Sequence, residues 1–330
     1  MFSEQRIYPL KHRVMFGAAA SRGTKQCGRR KTKAVDIEMS EARVEVGIIG
    51  GSGLYELAEL EDAETIHVET PFGSPSDDLV VGRICGRSVA FVPRHGRGHR
   101  LSPTEIPVQA NIYALKALGA RQVISISAVG SLREEYEPGS LVVPDQIVDW
   151  TKSGRPKSFF DDGIVVHTSV ADPYCGRLRE ELMAAAHSAT DATVHDSGTY
   201  ICIEGPQFST RAESELYRFL KMDIIGMTAV PEAKLAREAE LCYSALALVT
   251  DYDCWRSDEE AVDADLVTTV MARNADAAKR TIVRLIEKLP ADSACECQDA
   301  LAHAIITDRA AVPPAVRERL DLLIGRHLTG

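Results

Sequence analysis

The sequence predicts an α/β protein with a central, largely parallel β-sheet flanked by helices. Short apolar runs bounded by turn residues indicate buried strands, capped segments between them indicate helices, and the two alternate along the chain. With 330 residues, of which 45% are hydrophobic and 26% charged, the chain can bury a large core. No apolar run approaches the length of a membrane span, so we expect a cytoplasmic protein that does not bind membranes.

Each element has its own local signal. The predicted strands are the apolar runs 44–49, 88–92, 122–127, 141–148 and 241–249. A helix is predicted over 104–118, with Pro107 in its first turn and Gly119 as its C-terminal cap. The capping box Thr210-x-x-Glu213 predicts a helix over 211–220, and Pro231 predicts the start of another over 232–240.

The two ends of the chain differ from the middle. Residues 1–38 carry nine Lys/Arg against three acids, a net charge of +6, so the rest of the chain, at −16, argues against nucleic-acid binding. We expect a disordered basic extension over 1–43, a single domain over 44–290 and a helical extension over 291–330, with an amphipathic pattern at 313–328. A transit peptide, or a start site upstream of a true start at Met39, would give the same N-terminal composition, and we favour an artefactual or disordered extension over targeting.

Eight cysteines are scattered along the chain, several of them inside apolar runs where a reduced, buried thiol is usual. The exception is the pair Cys295 and Cys297, which a metal, a strained disulfide or no function at all would explain. Because no nearby His or Cys completes a zinc set at the usual spacing, the sequence predicts no metal.

Two acids, Asp251 and Asp253, directly follow the strand predicted over 241–249. Side chains two residues apart in an extended segment point to the same side, so these two are expected to face one small volume. Two acids in one poorly hydrated volume rarely both ionise, and the pair then offers one donor and one acceptor. An aminopurine needs both, because its N7 accepts a hydrogen bond and its 6-amino group donates one. A solvated turn is the alternative interpretation.

Other predicted strands also end in residues suited to a ligand. Gly50-Gly51-Ser52-Gly53 offers backbone N–H groups to an anion, or is a purely structural turn; Glu56 excludes the dinucleotide fingerprint. At Arg94-His95, the planar guanidinium group of Arg94 suits a phosphate and His95 can add a second hydrogen-bond donor. The run 127–131 consists mostly of small residues, which let a ligand approach the backbone closely. Since ligands bind at the carboxyl ends of parallel strands, these ends predict a phosphate pocket beside the acid pair.

The motifs GIIGGSGLYE, TPFGSPSD, RHG, QANIYALKALG, AVGSLRE, IEGPQFSTRAE, MTAVPEAKLARE and TDYDCW occur in this order. In them the chain resembles the nucleoside phosphorylases of the purine type over about residues 44–288, and more narrowly the branch that cleaves methylthioadenosine. The resemblance implies a single nucleoside phosphorylase-like domain and a homotrimer. It also implies cleavage of an N-glycosidic bond by inorganic phosphate, a co-substrate, with no cofactor.

The resemblance also implies residue roles. Phosphate would be held by Ser52, Arg94, His95, Ser127, Ala128 and Thr228. Met227 would lie against the ribose, Phe208 and Ser209 beside the base, and Ala264, Val267 and Thr268 around the methylthio group. His167 would reach the 5′ pocket of a neighbouring subunit. Asp251 and Asp253 would bind the purine and act in catalysis.

The chemistry of the acids agrees with these roles. A protonated Asp251 donating to N7 would assist departure of the purine, and an acid pair satisfies a 6-amino group better than a 6-oxo group. Gly226 stands where the family commonly has Asn, which would alter the contacts to the ribose or the base. Thr268 is polar where the methylthio pocket of many relatives is aliphatic, and we expect looser selectivity at the 5′ position. The alternatives are a 6-oxopurine or S-methyl-5′-thioinosine phosphorylase, a hydrolase that uses water, and a catalytically silent nucleoside-binding protein.

Overall fold

The structure, a computed structural model, describes residues 32–33, 44–51, 57–152, 154–256, 264–290 and 294–328, with the backbone alone for 32–33, 264–269 and 271–273. In this part of the chain the predicted α/β fold is confirmed: one mixed, mostly parallel sheet is flanked by helices. The expected disorder of 1–43 lies outside the described residues, apart from a two-residue strand. No helix of the described residues is long and apolar enough to cross a bilayer.

Twelve strands are described. They are β1 (Thr32–Lys33), β2 (Val46–Gly50), β3 (Glu61–Ile66), β4 (Leu79–Ile84), β5 (Arg87–Pro93), β6 (Gln122–Ser131), β7 (Leu141–Val142), β8 (Gln146–Trp150), β9 (Val194–His195), β10 (Thr199–Ile203), β11 (Ile224–Gly226) and β12 (Cys242–Asp251). The α-helices are α1 (Val108–Ala117), α2 (Gly176–Ala189), α3 (Arg211–Phe219), α4 (Ala229–Glu238), α5 (Ala264–Lys288), α6 (Pro314–Arg319) and α7 (Asp321–Leu328).

Strand β6 organises the sheet. It pairs in parallel with β2 on one side and with β12 on the other, and β2 pairs in parallel with β5. Its last residues, Ser131 and Gly130, pair antiparallel with β11. The carboxyl ends of β2, β5, β6 and β12 therefore lie at one edge, as expected for parallel strands, and β11 runs in the opposite direction beside the end of β6.

The local signals predicted all three helices but not every start. Helix α1 begins at Val108, after Pro107, and α4 begins at Ala229, before Pro231. In the capping box, the Thr210 hydroxyl accepts from the Glu213 N–H at 3.2 Å, and the Glu213 carboxylate accepts from the Thr210 N–H at 2.8 Å. Gly119 has φ +96° and its N–H donates to the Lys116 carbonyl at 3.0 Å, which confirms it as the C-terminal cap of α1. The strand predicted over 141–148 is wrong: it divides at Pro144 into β7 and β8, which pair with different strands.

Apolar clusters cover both faces of the sheet. Helices α1, α4, α6 and α7 contribute to one cluster, and α2 and α5 contribute to the other. The amphipathic pattern predicted over 313–328 forms two helices, α6 and α7, and its residues Val316, Leu320, Leu323 and Ile324 are buried in the first cluster. The C-terminal segment thus completes the core of the same domain.

Candidate active site

The acid pair lies at the end of β12, whose ten residues are all buried. Asp251 accepts hydrogen bonds from the Thr250 hydroxyl at 2.7 Å and from the Asp253 N–H at 2.8 Å. Asp253 has φ +52° and lies in a turn beyond the strand, so the expected extended geometry is wrong. The backbone bond to Asp251 forms an Asx-type turn, which brings the second acid back towards the first.

Both carboxyl groups are buried, with 6% of Asp251 and 7% of Asp253 exposed. Burial raises the pKa of Asp253, and the nearby hydroxyls of Ser214 and Ser209 act against that rise. Protonation of Asp251 stays a prediction.

The absence of a side chain at Gly130 leaves space for the acid pair. A Cβ atom at this position would lie 2.8 Å from the Asp251 Oδ1 and 3.4 Å from the Asp253 Cβ, so both acids flank one point on β6. The Cys254 thiol donates to the Ser209 carbonyl at 3.2 Å and fixes the loop of Phe208 and Ser209 beside the pair. Phe208 is 44% exposed at this edge, and its packing on a base stays a prediction.

Arg94 is directed into the protein, with 2% of the residue exposed. Its Nε and Nη2 donate to the Glu232 carboxylate at 2.8 and 3.1 Å, and Nη1 donates to the Ile126 carbonyl at 2.7 Å. Nη2 also lies 2.7 Å from the Ser125 hydroxyl. These contacts hold the ends of the central strands together. Direct binding of phosphate by Arg94 stays a prediction.

His95 has one ring nitrogen engaged: Nδ1 lies 2.9 Å from the Leu101 carbonyl oxygen. A carbonyl only accepts, so Nδ1 carries a proton. Burial lowers the pKa of His95 to about 4, and the positive charge of Arg94 acts in the same direction. The neutral ring then has a lone pair at Nε2. Its role as a second donor to phosphate stays a prediction.

Tyr200 on β10 brings a buried hydroxyl to this edge. The residue is 0% exposed, and its Oη has no hydrogen-bond partner among the described residues. Burial raises the pKa of Tyr200, while the Thr228 and Ser127 hydroxyls beside it act against that rise. Thr228, which precedes α4, makes no capping hydrogen bond with its side chain. Three hydroxyls therefore lie together where the sequence predicted phosphate.

The absence of a side chain at Gly226 makes room for the Tyr200 ring. A Cβ atom at 226 would lie 2.7 Å from the Tyr200 Cζ and still closer to Oη. Gly226 and Tyr200 are thus one packing unit across β10 and β11. The departure at Gly226 is visible in the sequence, but the tyrosine that fills the space is not, because the sequence does not give the cross-strand register.

Arg155 is a second residue that sequence analysis missed. It is buried, and its Nη1 donates to the Met227 carbonyl at 2.6 Å and to the Val230 carbonyl at 2.8 Å. An ion pair with Glu204 at 3.1 Å fixes the guanidinium. The side chain of Met227 packs on Gly205. Arg155 therefore sets the position of the segment that carries Met227 and Thr228.

Of the remaining predicted residues, two are described with their side chains and four are not. Ala128 lies on β6 next to Ser127. His167 is exposed, and its backbone N–H donates to the Ala304 carbonyl at 2.8 Å. Ser52 lies outside the described residues. Ala264, Val267 and Thr268 lie in the first turns of α5, where the described structure is the backbone alone, so their role as a methylthio pocket stays a prediction.

Comparisons with known proteins show the family of the chain. A model of the phosphorylase superfamily matches residues 45–287. The S-methyl-5′-thioadenosine phosphorylase of Geobacter sulfurreducens is 53% identical over 283 residues, 86% of this chain and 99% of that protein. The crystal structure of a methylthioadenosine phosphorylase from an Antarctic soil metagenomic library superposes with a TM-score of 0.82 at 48% identity, covering 86% of this chain and 99% of its own.

A further solved relative is more distant. It is a mutant of the adenosine/methylthioadenosine phosphorylase of Schistosoma mansoni in complex with methylthioadenosine. That structure has a TM-score of 0.72 at 35% identity and covers 78% of this chain and 95% of its own.

Proposed function

The chain belongs to the phosphorylase superfamily, and from this premise we propose that it cleaves S-methyl-5′-thioadenosine with inorganic phosphate, giving adenine and 5-methylthioribose 1-phosphate. The observation that carries the proposal is the position of the buried Asp251–Asp253 pair at the edge of the sheet that also presents the hydroxyls of Ser127, Thr228 and Tyr200. One part of this edge suits a purine and the other suits an oxyanion.

The acid pair acts on the base. Cleavage of the glycosidic bond puts negative charge on the departing purine, and a carboxyl proton donated to N7 stabilises that charge. The other carboxylate accepts from the 6-amino group. A 6-oxopurine would leave an acceptor facing an acceptor in a dry site, which carries a heavy penalty. The pair therefore selects adenine.

Phosphate is positioned by neutral donors and by one acceptor. Ser127, Thr228 and Tyr200 donate to its oxygens, and the lone pair of His95 Nε2 accepts from its remaining P–OH. Arg94, held by Glu232, adds a buried positive charge behind them. Positioned in this way, phosphate stabilises the cationic sugar and then attacks its anomeric carbon, and no cofactor takes part.

Selectivity at the 5′ position is looser than in an enzyme restricted to the thioether. Gly226 and Thr268 depart from the family pattern, and the Schistosoma mansoni relative is named for both adenosine and methylthioadenosine. Comparable kcat/KM values for adenosine and methylthioadenosine support this part of the proposal. A large preference for the thioether contradicts it.

The active unit is an oligomer, a homotrimer by resemblance, that works in the cytoplasm. His167 is exposed on the single chain beside Val165 and Ile306, whose apolar side chains are also exposed. Phe219 on α3 is 82% exposed, which is unusual for a side chain of this size. Burial of these groups between copies would bring His167 to a neighbouring 5′ pocket. The molar mass in solution, measured by light scattering, tests this.

The function is tested by following adenine release from methylthioadenosine with and without inorganic phosphate. The proposal predicts adenine and a sugar 1-phosphate in equal amounts, and negligible turnover without phosphate. Release of free methylthioribose without phosphate would identify a hydrolase instead. Binding without turnover would identify a silent nucleoside-binding protein.

A further inference from the structure

Four cysteines that lie far apart in the sequence converge on one point. Cys175 precedes α2, Cys242 is the first residue of β12, and Cys295 and Cys297 follow α5. Their sulfur atoms all lie within 4.8 Å of one another, and the Cys175 and Cys295 sulfurs are 3.6 Å apart. We call these four residues the cysteine cluster. It has no part in the proposed reaction.

The spacing of the cysteine cluster suits a shared tetrahedral ion. Zinc binds thiolate sulfur at about 2.3 Å, so the sulfurs of a tetrahedral site lie about 3.8 Å apart. The observed separations bracket this distance. A disulfide would instead require about 2.05 Å between two of the sulfurs. All four cysteines are free thiols in the structure.

Two arginines surround the cysteine cluster. Arg237 Nη1 donates to the Cys297 sulfur at 3.3 Å, and Arg177 Nη2 donates to the Cys242 sulfur at 3.8 Å. A zinc ion with four thiolates carries a net charge of −2, which two guanidinium groups at this range would offset. A cleft of about 510 Å³, lined in part by both arginines and by Cys295, gives an ion a path to the sulfurs.

We propose that the cysteine cluster binds one structural zinc ion. Four protein ligands close the coordination shell and leave no open position for a substrate, so the ion has a structural and not a catalytic role. It fastens the segment that begins the C-terminal extension to α2 and to β12. The sequence predicted no metal because the pair Cys295 and Cys297 lacks partners at short spacing, whereas the fold supplies Cys175 and Cys242.

Metal content tests the proposal. The full chain is purified under reducing conditions without chelator, and zinc is measured by mass spectrometry after brief incubation with Zn²⁺ and removal of the excess. We expect about one zinc ion per chain. The double variant Cys295→Ser/Cys297→Ser should lose it. The matched control Cys85→Ser, whose cysteine is exposed and outside the cysteine cluster, should keep it.

A second measurement covers the case in which the double variant fails to fold. Wild-type protein loaded with Co²⁺ in place of zinc should show the absorption of a tetrahedral thiolate site. Removal of zinc by a chelator should lower the Tm, and added zinc should restore it. Wild-type protein that binds neither ion in stoichiometric amount would overturn the proposal, and so would four cysteines that form two disulfides and resist reductant.

Discussion

Removal of the Tyr200 hydroxyl should weaken phosphate binding without weakening the fold. This hydroxyl is buried and has no hydrogen-bond partner among the described residues, and the Thr228 and Ser127 hydroxyls lie beside it. A hydrogen bond to a charged group contributes about 1.5–3 kcal/mol, which corresponds to roughly 10- to 150-fold in affinity. An unpartnered buried hydroxyl costs about 1–3 kcal/mol, so Tyr200→Phe should leave the free energy of unfolding unchanged or raise it.

The assay is the KM for phosphate at saturating methylthioadenosine, together with the Tm of the ligand-free protein. Tyr174→Phe is the matched control, because the Tyr174 hydroxyl is also buried and without a partner among the described residues. Its ring stacks on Tyr243, which has no role in the proposed phosphate site. Only Tyr200→Phe should raise the KM for phosphate. A KM for phosphate within about twofold of wild type would refute the assignment.

Four further changes test separate parts of the site. Gly226→Ala should lower the free energy of unfolding by roughly 1–3 kcal/mol, because its methyl group overlaps the Tyr200 ring, and Tyr200→Leu should restore part of the loss in a double-mutant cycle. Glu232→Gln should cost about 3–5 kcal/mol in urea unfolding, since it leaves a buried charge without its partner; a loss below about 1 kcal/mol would count against the ion pair. Asp251→Asn should lower kcat by about 10²- to 10⁴-fold in steady-state adenine release, and an unchanged kcat would exclude a role as general acid. The pKa of His95, about 4, lies below its ordinary value of 6.5, so the unfolded chain binds a proton here before the folded protein does. The stability that the neutral ring contributes is therefore present above pH 6.5 and is lost as the pH falls towards 4. The free energy of unfolding of His95→Gln, measured with urea, should fall less than that of wild type between pH 7 and pH 5.

The sequence predicted those features whose signals are local. Thr210 and Glu213 form the capping box because the two residues are three apart, and the end of β12 was found because an apolar run stops at two acids. Strand β3, by contrast, has the sequence EDAETI and is mostly exposed, so it lacks the apolar run that marks a strand. Its pairing with β4, and not its composition, makes it a strand.

The site residues that were missed depend on contacts between distant parts of the chain. Arg94 was found as a cation, but its partner Glu232 is 138 residues away, and that contact directs the guanidinium into the protein. Tyr200 resembles any core aromatic until β10 pairs with β11 beside Gly226. Cys175 and Cys242 likewise join the Cys295 pair only in the folded chain. In each case the chemistry of the residue was visible in the sequence and its partner was not.

The central claim is that the acid pair selects a 6-aminopurine for phosphorolysis. The most direct measurement is the ratio of kcat/KM for methylthioadenosine to that for methylthioinosine, in wild type and in Asp253→Asn. We predict a ratio of at least about 100 for wild type, because a 6-oxo group leaves a buried acceptor unpaired. The ratio should fall sharply in Asp253→Asn, whose amide can donate to that group. A wild-type ratio near or below one, or a ratio that Asp253→Asn leaves unchanged, would contradict the account.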